Sequence, residues 1–511
     1  MSSNIFTGVK LGQTYENMGF PFIWTKSHKD GTDLEPLRQI GDPDCDVVMA
    51  LLHKYLKIEE QDALGLCRKL AKQHIADSRP DSQILYPSDE CCLCYEFIQK
   101  YSTIPTWVNW ASILDGQQFF TRCIVPALIS LLYFTLISGF GAPKLSKVLA
   151  CTGYLSNGCA ASYRRLLETN SMIITCLTGT VSILEPNHIG WESCLRVRLL
   201  HARIRYMLLN EQHSGIKWDT AEFGIPINQE DLLVTLMGFS FSVLFSFKER
   251  MHIRFSAEEE QGYLHVWRYM GWLLGIDDHF NSSETYDKAR TLTESILHHI
   301  GCPDETSCLL AHQVIKAIAV YLPIPARFEF HSQMVRKLAG DVWADALKLP
   351  PGKRLFSFII EIKFSVFRLV SWLGRNWQHD LPKHAPLIEQ QSSLSLLLLH
   401  PVFSIKYLLQ TNVRPFMLKL NAGRVRLLIR NEYKKIRKHI ILDETAEELF
   451  NYDFTMHKRY SPNLYTTRVE QQQQTHLSSL TKFTTTSKTD QRSLIVLCIG
   501  ITLIILLLTI Q

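Results

Sequence analysis

The run RVRLLHARIRYML, residues 196–208, sets the hardest condition on how this chain folds. At about 100° per residue of helix, Arg196 and Arg203 share one face, and Arg198 and Arg205 share the opposite one. Leu195, Leu199, Ala202 and Tyr206 line one flank between them, and Val197, Leu200, Ile204 and Leu208 line the other. Two apolar flanks call for protein on both sides, so only one arginine face is free to meet water. The other pair is expected to point inward, where a guanidinium must be paired. His201 stands beside the second pair, three residues after Arg198 and four before Arg205.

The rest of the sequence supplies a helical setting. AEEEQGYLHVWRYMGWLLGI, DETSCLLAHQVIKAIAVYL and SQMVRKLAGDVWADALKL carry helical periodicity, and alternating strand patterns are scarce. The uncharged runs MIITCLTGTVSIL and LLVTLMGFSFSVLF read as too short to span a bilayer, and therefore as central helices buried on every side. CIVPALISLLYFTLISGFGAP, residues 123–143, is long enough to span, but Pro126, Gly139, Gly141 and Pro143 break it, and it too is read as core. The fold class is all-α.

Five segments follow along the chain. Residues 1–100 read as an N-terminal helical extension, 101–350 as the main domain and 351–465 as a second helical region. In that region GRVRLLIRNEYKKIRKHI is basic and amphipathic, fitting either an anionic membrane surface or an ordinary solvated face. The polar, Thr/Ser/Gln-rich stretch 466–492 reads as a flexible linker. SLIVLCIGITLIILLLTI, residues 493–510, is uncharged and is expected to form a transmembrane tail anchor. Lys482, Lys488 and Arg492 precede it, which suits a cytosol-facing main domain. No basic residue follows it, which favours the endoplasmic reticulum over the outer mitochondrial membrane.

A net charge of +5 over 511 residues gives no electrostatic footprint for nucleic acid. The N-terminus lacks the apolar core of a signal peptide, so the 13 cysteines are read as reduced thiols. Cys91, Cys92 and Cys94 cluster without a second ligand pair at zinc-finger spacing.

The inward partner of Arg198 and Arg205 is either an Asp or Glu from another helix or an anionic ligand. A ligand whose acidic groups reach two arginines while an imidazole meets its centre has the shape of haem, with two propionates and an iron that takes a proximal histidine.

RVRLLHARIR also resembles the signature helix of the rubber-oxygenase family, the type of latex clearing protein and the ER-bound oxygenase MpaB. Arg198, Leu199, His201, Ala202 and Arg205 fit its Arg-Leu-x-His-Ala-x-x-Arg core. The family's upstream motif is matched by Arg165, Glu168 and Thr169, with Glu168 where latex clearing protein has a lysine. Further similarity lies in Trp107, Gly116, Gln117 and Phe120, in Trp267, Arg268, Gly271 and Gly275 with His265 nearby, and in Arg336, Gly340, Ala344 and Leu347.

The resemblance covers about 100–350 and implies an all-helical haem b protein. It implies that His201 is the proximal iron ligand and that Arg198 and Arg205 support the haem or that ligand. It makes Arg165, Glu168 and Thr169 the catalytic candidates, with Glu168 acting as a general base or orienting oxygen. The activity it implies is cleavage of a carbon–carbon double bond by dioxygen, in an apolar isoprenoid or prenylated small molecule. A non-catalytic haem or lipid carrier on the same fold is the alternative.

Overall fold

The computed structural model describes residues 9–56, 62–76, 86–153, 155, 158–210, 217–321 and 327–376. The expected linker and tail anchor, and all but the first part of the second helical region, lie outside the described residues. Up to Tyr321, and again from 327 to Glu361, the described residues belong to one unit, and a second begins at Ile362. Residues 9–56 and 86–100 thus fall in the same unit as the main domain.

The extension expected to be helical opens instead on a two-stranded antiparallel hairpin, β1 (Thr14–Asn17) and β2 (Phe20–Ile23), in register from Thr14↔Ile23 to Asn17↔Phe20. Met18 and Gly19 turn it with φ of 50° and 73°, the left-handed pair that a two-residue hairpin loop requires. The strands are four residues each, too short for an alternating pattern to stand out. The remaining regular elements are helices, as the all-α reading requires.

Helix ends follow local chemistry. Asn109 caps the helix Trp110–Arg122, accepting the N–H groups of Ala111 and Ser112. Ser256 and Glu259 form a reciprocal capping box on Ala257–Leu273. These two helices cross so closely that a Cβ on Gly116 would lie 2.3 Å from the Gly262 carbonyl oxygen. Only glycine at both positions lets the backbones touch.

The run at 123–143 enters the core. Its helical part, Ile124–Ile137, bends 85° from Trp110–Arg122 at a break around Cys123. The segment read as too short to span belongs to a longer helical run, Gln229–Met251, whose length and hydropathy would cross a membrane. Of its most apolar window, 89% is buried inside the protein. The end of that run widens to π-helix over Phe247–Met251, so helical structure continues past the apolar residues into Lys248, Glu249 and Arg250.

Candidate functional site

Helix Ile189–Leu209 carries the arginine run and packs against Pro43–Leu52 and Cys159–Leu177, and also against Ala63–Ala76 and Ala257–Leu273. Arg198 and Arg205 are the inward pair, each at most 2% exposed. Arg196, on the other face, is half-buried and meets Asp62.

The chain provides carboxylates for both inward guanidiniums. Asp42 accepts from Arg198 Nε at 2.6 Å and from Nη2 at 2.7 Å, the two-point geometry that makes Arg–carboxylate pairs strong. The Arg198 guanidinium also lies 3.9 Å from the Tyr101 ring centre, and its Nη2 donates to the Tyr101 hydroxyl at 2.7 Å. Asp46 accepts from Arg205 Nε at 2.7 Å, and the Ile227 carbonyl accepts from its Nη1 at 3.0 Å. Arg198 Nη1 and Arg205 Nη2 remain sealed without a hydrogen-bond partner.

Both aspartates come from the sequence GDPDCD. Asp42 caps the helix that Pro43 begins, accepting the Cys45 N–H at 3.3 Å. One carboxylate thus ends a helix and neutralises a buried cation. Gly275 makes room for this: its φ is +94°, and a Cβ there would sit 2.3 Å from Asp42 Oδ2 and 2.9 Å from Arg198 Nε. The sequence reading missed Asp42, Asp46 and Tyr101. An Asp-Pro helix start with Asp44 and Asp46 in the first turn was legible, but nothing local names its partners.

His201 differs from its neighbours. Its ring is half-buried, with Nδ1 sealed from solvent and without a hydrogen-bond partner. Burial first, and the Arg205 cation second, hold its pKa down to about 4, against a weaker pull from Asp42. The imidazole is therefore neutral at pH 7, the form that binds a metal.

The flank beside His201 departs from the expected wrapping on both sides. Leu195, Leu199 and Ala202 are sealed, but Val197 and Ile204 are half-open and Leu200 is 42% exposed. Leu208 of the same flank is buried, so the opening is local: Leu200 between two half-buried aliphatic side chains, beside a neutral imidazole whose Nδ1 has no hydrogen-bond partner. An orphaned ring nitrogen beside open apolar surface fits an axial ligand of haem.

The upstream motif has a different setting. Glu168 accepts from Arg164 Nε at 2.9 Å and from Arg165 Nη1 at 2.7 Å, an i+4 and i+3 pairing along helix Cys159–Leu177. Thr169 is exposed and donates its hydroxyl to the Arg165 carbonyl at 3.1 Å. Among the described residues, no hydrogen bond or ion pair joins Arg165, Glu168 or Thr169 to His201. His265 accepts the Asn109 N–H on Nε2 at 2.8 Å, so its ring locks the loop before Trp110–Arg122. Arg268 is gripped by Asp278 at 2.7 and 2.9 Å and lies 4.3 Å from the Trp107 ring centre.

Residues 132–366 match the family described as ER-bound oxygenase mpaB/B'/rubber oxygenase, catalytic domain. Over this stretch the chain resembles the rubber oxygenases. A rubber oxygenase from Streptomyces sp. (strain K30) is 24% identical over 210 residues, which make up 40% of this chain and 48% of that protein. The chain therefore spans about half the length of this curated relative. The structure of latex clearing protein LCP in its closed state superposes with a TM-score of 0.50 at 17% identity, covering 74% of this chain and 91% of that one. At such identity the likeness is one of fold. The family match begins after Asp42 and Asp46, so the counter-ions of Arg198 and Arg205 come from outside the matched region.

Proposed function

We propose that this chain is a membrane-anchored haem b oxygenase that uses dioxygen to cleave a carbon–carbon double bond in an apolar isoprenoid or prenylated substrate. The observation that carries this reading is His201, a neutral imidazole with a sealed, unpartnered nitrogen beside the half-open apolar side chains Val197, Leu200 and Ile204. The family match adds an oxygenase class, and the relatives' names add rubber as the substrate of those proteins.

In this reading His201 would hold the iron, and burial, aided by the Arg205 cation, keeps the imidazole unprotonated. Haem, when bound, supplies the iron chemistry toward dioxygen, while the protein sets ligand, polarity and access. Arg198 and Arg205, clamped by Asp42 and Asp46, fix the helix that presents His201. Val197, Leu200 and Ile204 offer apolar surface to a flat group. Glu168 stands where latex clearing protein has a lysine and is the candidate general base, held by Arg164 and Arg165. Residues 493–510 anchor the chain in the endoplasmic reticulum membrane with the main domain in the cytosol, close to lipid-dissolved substrate.

One observation favours the carrier alternative: Glu168 is already engaged by two arginines. Oxygen uptake by the full chain with a panel of prenylated lipids, with carbonyl products read by mass spectrometry, separates the two. Stoichiometric uptake and carbonyl products support the oxygenase. Haem binding with no uptake on any substrate leaves the carrier.

A further inference from the structure

Tyr101, at the end of helix Ser88–Ser102, is joined twice to the helix of the arginine run. Its hydroxyl accepts from Arg198 Nη2 at 2.7 Å, and its carbonyl accepts from Trp191 Nε1 at 2.8 Å. The same hydroxyl donates to Asp44 Oδ2 at 2.6 Å. The residue is 4% exposed, whereas the Asp44 side chain is 41% exposed and paired with Lys100. Burial first, against the pull of Arg198, pushes the phenol's ionisation up, so it is neutral at pH 7. A neutral phenol yields an electron far more easily when a base takes its proton in the same step. Asp44 is such a base, and its exposure opens a way for the proton to water. The Arg198 cation opposes a positively charged ring, and loss of the proton to Asp44 removes that obstacle by leaving a neutral radical.

Tyr101 is also the inner end of a row of aromatic rings. Its ring centre lies 5.0 Å from that of Trp272, Trp272 lies 6.0 Å from Tyr269, and Tyr269 lies 5.6 Å from Trp110, each a ring contact. Tyr269 and Trp272 stand three residues apart on helix Ala257–Leu273, so one helix face supplies both. Tyr269 is buried, and Trp272 and Trp110 are half-buried. Electron transfer between rings falls off steeply with separation, and this row has no gap. Tyr269 donates its hydroxyl to the Leu184 carbonyl, which cannot take the proton, so an electron vacancy there moves on. Tyr269 also touches Trp107 at 6.5 Å, but the Arg268 guanidinium lies 4.3 Å from the Trp107 ring centre and opposes a positive charge on it. Trp110 is therefore the outer end.

We propose that Tyr101, Trp272, Tyr269 and Trp110 form an electron path between the helix of His201 and the protein surface. The inference rests on the haem reading for its oxidant, a haem iron oxidised by peroxide. Tyr101 gives that centre one electron and gives its proton to Asp44. Trp272, Tyr269 and Trp110 refill the vacancy in turn. A thiol in solution supplies the last electron at Trp110 and leaves as a thiyl radical and a proton, while Tyr101 recovers its own proton from Asp44. An oxidised centre that has met no substrate is thereby discharged at the surface, sparing the side chains around His201.

The first arm of the test needs no haem. Azide radicals made by pulse radiolysis take electrons from tryptophans of the full chain in detergent, and transient absorption follows the conversion of tryptophanyl to tyrosyl radical. The tyrosyl formation lost in Tyr101→Phe measures what reaches Tyr101. Trp272→Phe is expected to slow that formation about tenfold, with Trp110→Phe lowering its yield and Trp218→Phe, whose ring packs on Phe223, leaving it unchanged. Each variant exchanges one ring for another, and a melting curve checks that it is folded. Equal formation in Trp272→Phe and wild type, or none that depends on Tyr101, overturns the path. In the second arm the haem-loaded chain, identified by its Soret band, is mixed with peroxide and freeze-quenched for electron paramagnetic resonance. A tyrosyl signal that vanishes in Tyr101→Phe and outlives the wild-type signal in Trp272→Phe is expected, and a signal unchanged in both overturns the path. A missing Soret band fails the haem reading, and the radiolysis result then decides the path by itself.

Discussion

Asp42 holds Arg198 by two hydrogen bonds of 2.6 and 2.7 Å, both side chains at most 3% exposed. The pair fastens the helix of the family signature to a helix outside the family match. Breaking it strands a buried cation. Asp42→Ala is expected to cost about 3–5 kcal/mol of unfolding free energy, whereas replacing both partners in D42A/R198M costs less than the two single changes added together. Urea unfolding of the four proteins in the cycle measures this. Additivity within about 0.5 kcal/mol would show that the two side chains act independently.

The Gly116–Gly262 contact predicts a strict size limit. Gly116→Ala drives a methyl group into the Gly262 carbonyl, so the helices must separate, at a cost of about 1–3 kcal/mol. Gly139 is the control: a Cβ there meets nothing within 4 Å, and Gly139→Ala should leave the melting temperature unchanged or slightly higher. Equal effects at the two positions would contradict the close crossing.

A second buried ion cluster predicts a pH dependence. Arg38 meets Glu230 at 2.8 Å and Asp231 at 3.3 Å, and all three are at most 2% exposed. Burial foremost, and the neighbouring Glu230, push Asp231 up to about 6, against the pull of Arg38. The ordinary value is 3.8, so the folded chain holds this proton more tightly than the unfolded chain. The resulting stabilisation is complete below pH 3.8 and is lost as pH rises through 6. Between pH 7 and 4 the wild type should gain stability relative to Asp231→Asn. A constant difference in melting temperature over that range would refute the assignment.

Glu168 distinguishes catalysis from carriage. Its arginine pairs are half-exposed and within one helix, so Glu168→Gln should change stability by less than about 1 kcal/mol. It should leave the visible spectrum intact and lower oxygen uptake if the carboxylate takes a proton. Unaltered uptake would remove Glu168 from the chemistry.

The helix at 189–209 shows what a single sequence can disclose. Its wheel gave two arginine pairs on opposite faces, and Arg198 and Arg205 are the buried ones. Periodicity fixes which side chains share a face, because that depends only on the local turn. It is silent on the opposing surface, so Asp42 and Asp46, more than 150 residues earlier, could not be named. The same limit applies to the open flank: Val197, Leu200 and Ile204 look as coreward as Leu195 and Leu199 until the neighbouring helices are placed. The Glu168 motif was recognisable by spacing, whereas its engagement by Arg164 and Arg165 is a matter of rotamer and distance.

The central claim concerns His201. The full chain, expressed with ample haem and purified in detergent, should show a Soret band, and His201→Ala should lose it or weaken it strongly while retaining a cooperative melt. A wild type without that band, or a His201→Ala protein with an unchanged one, would contradict the account.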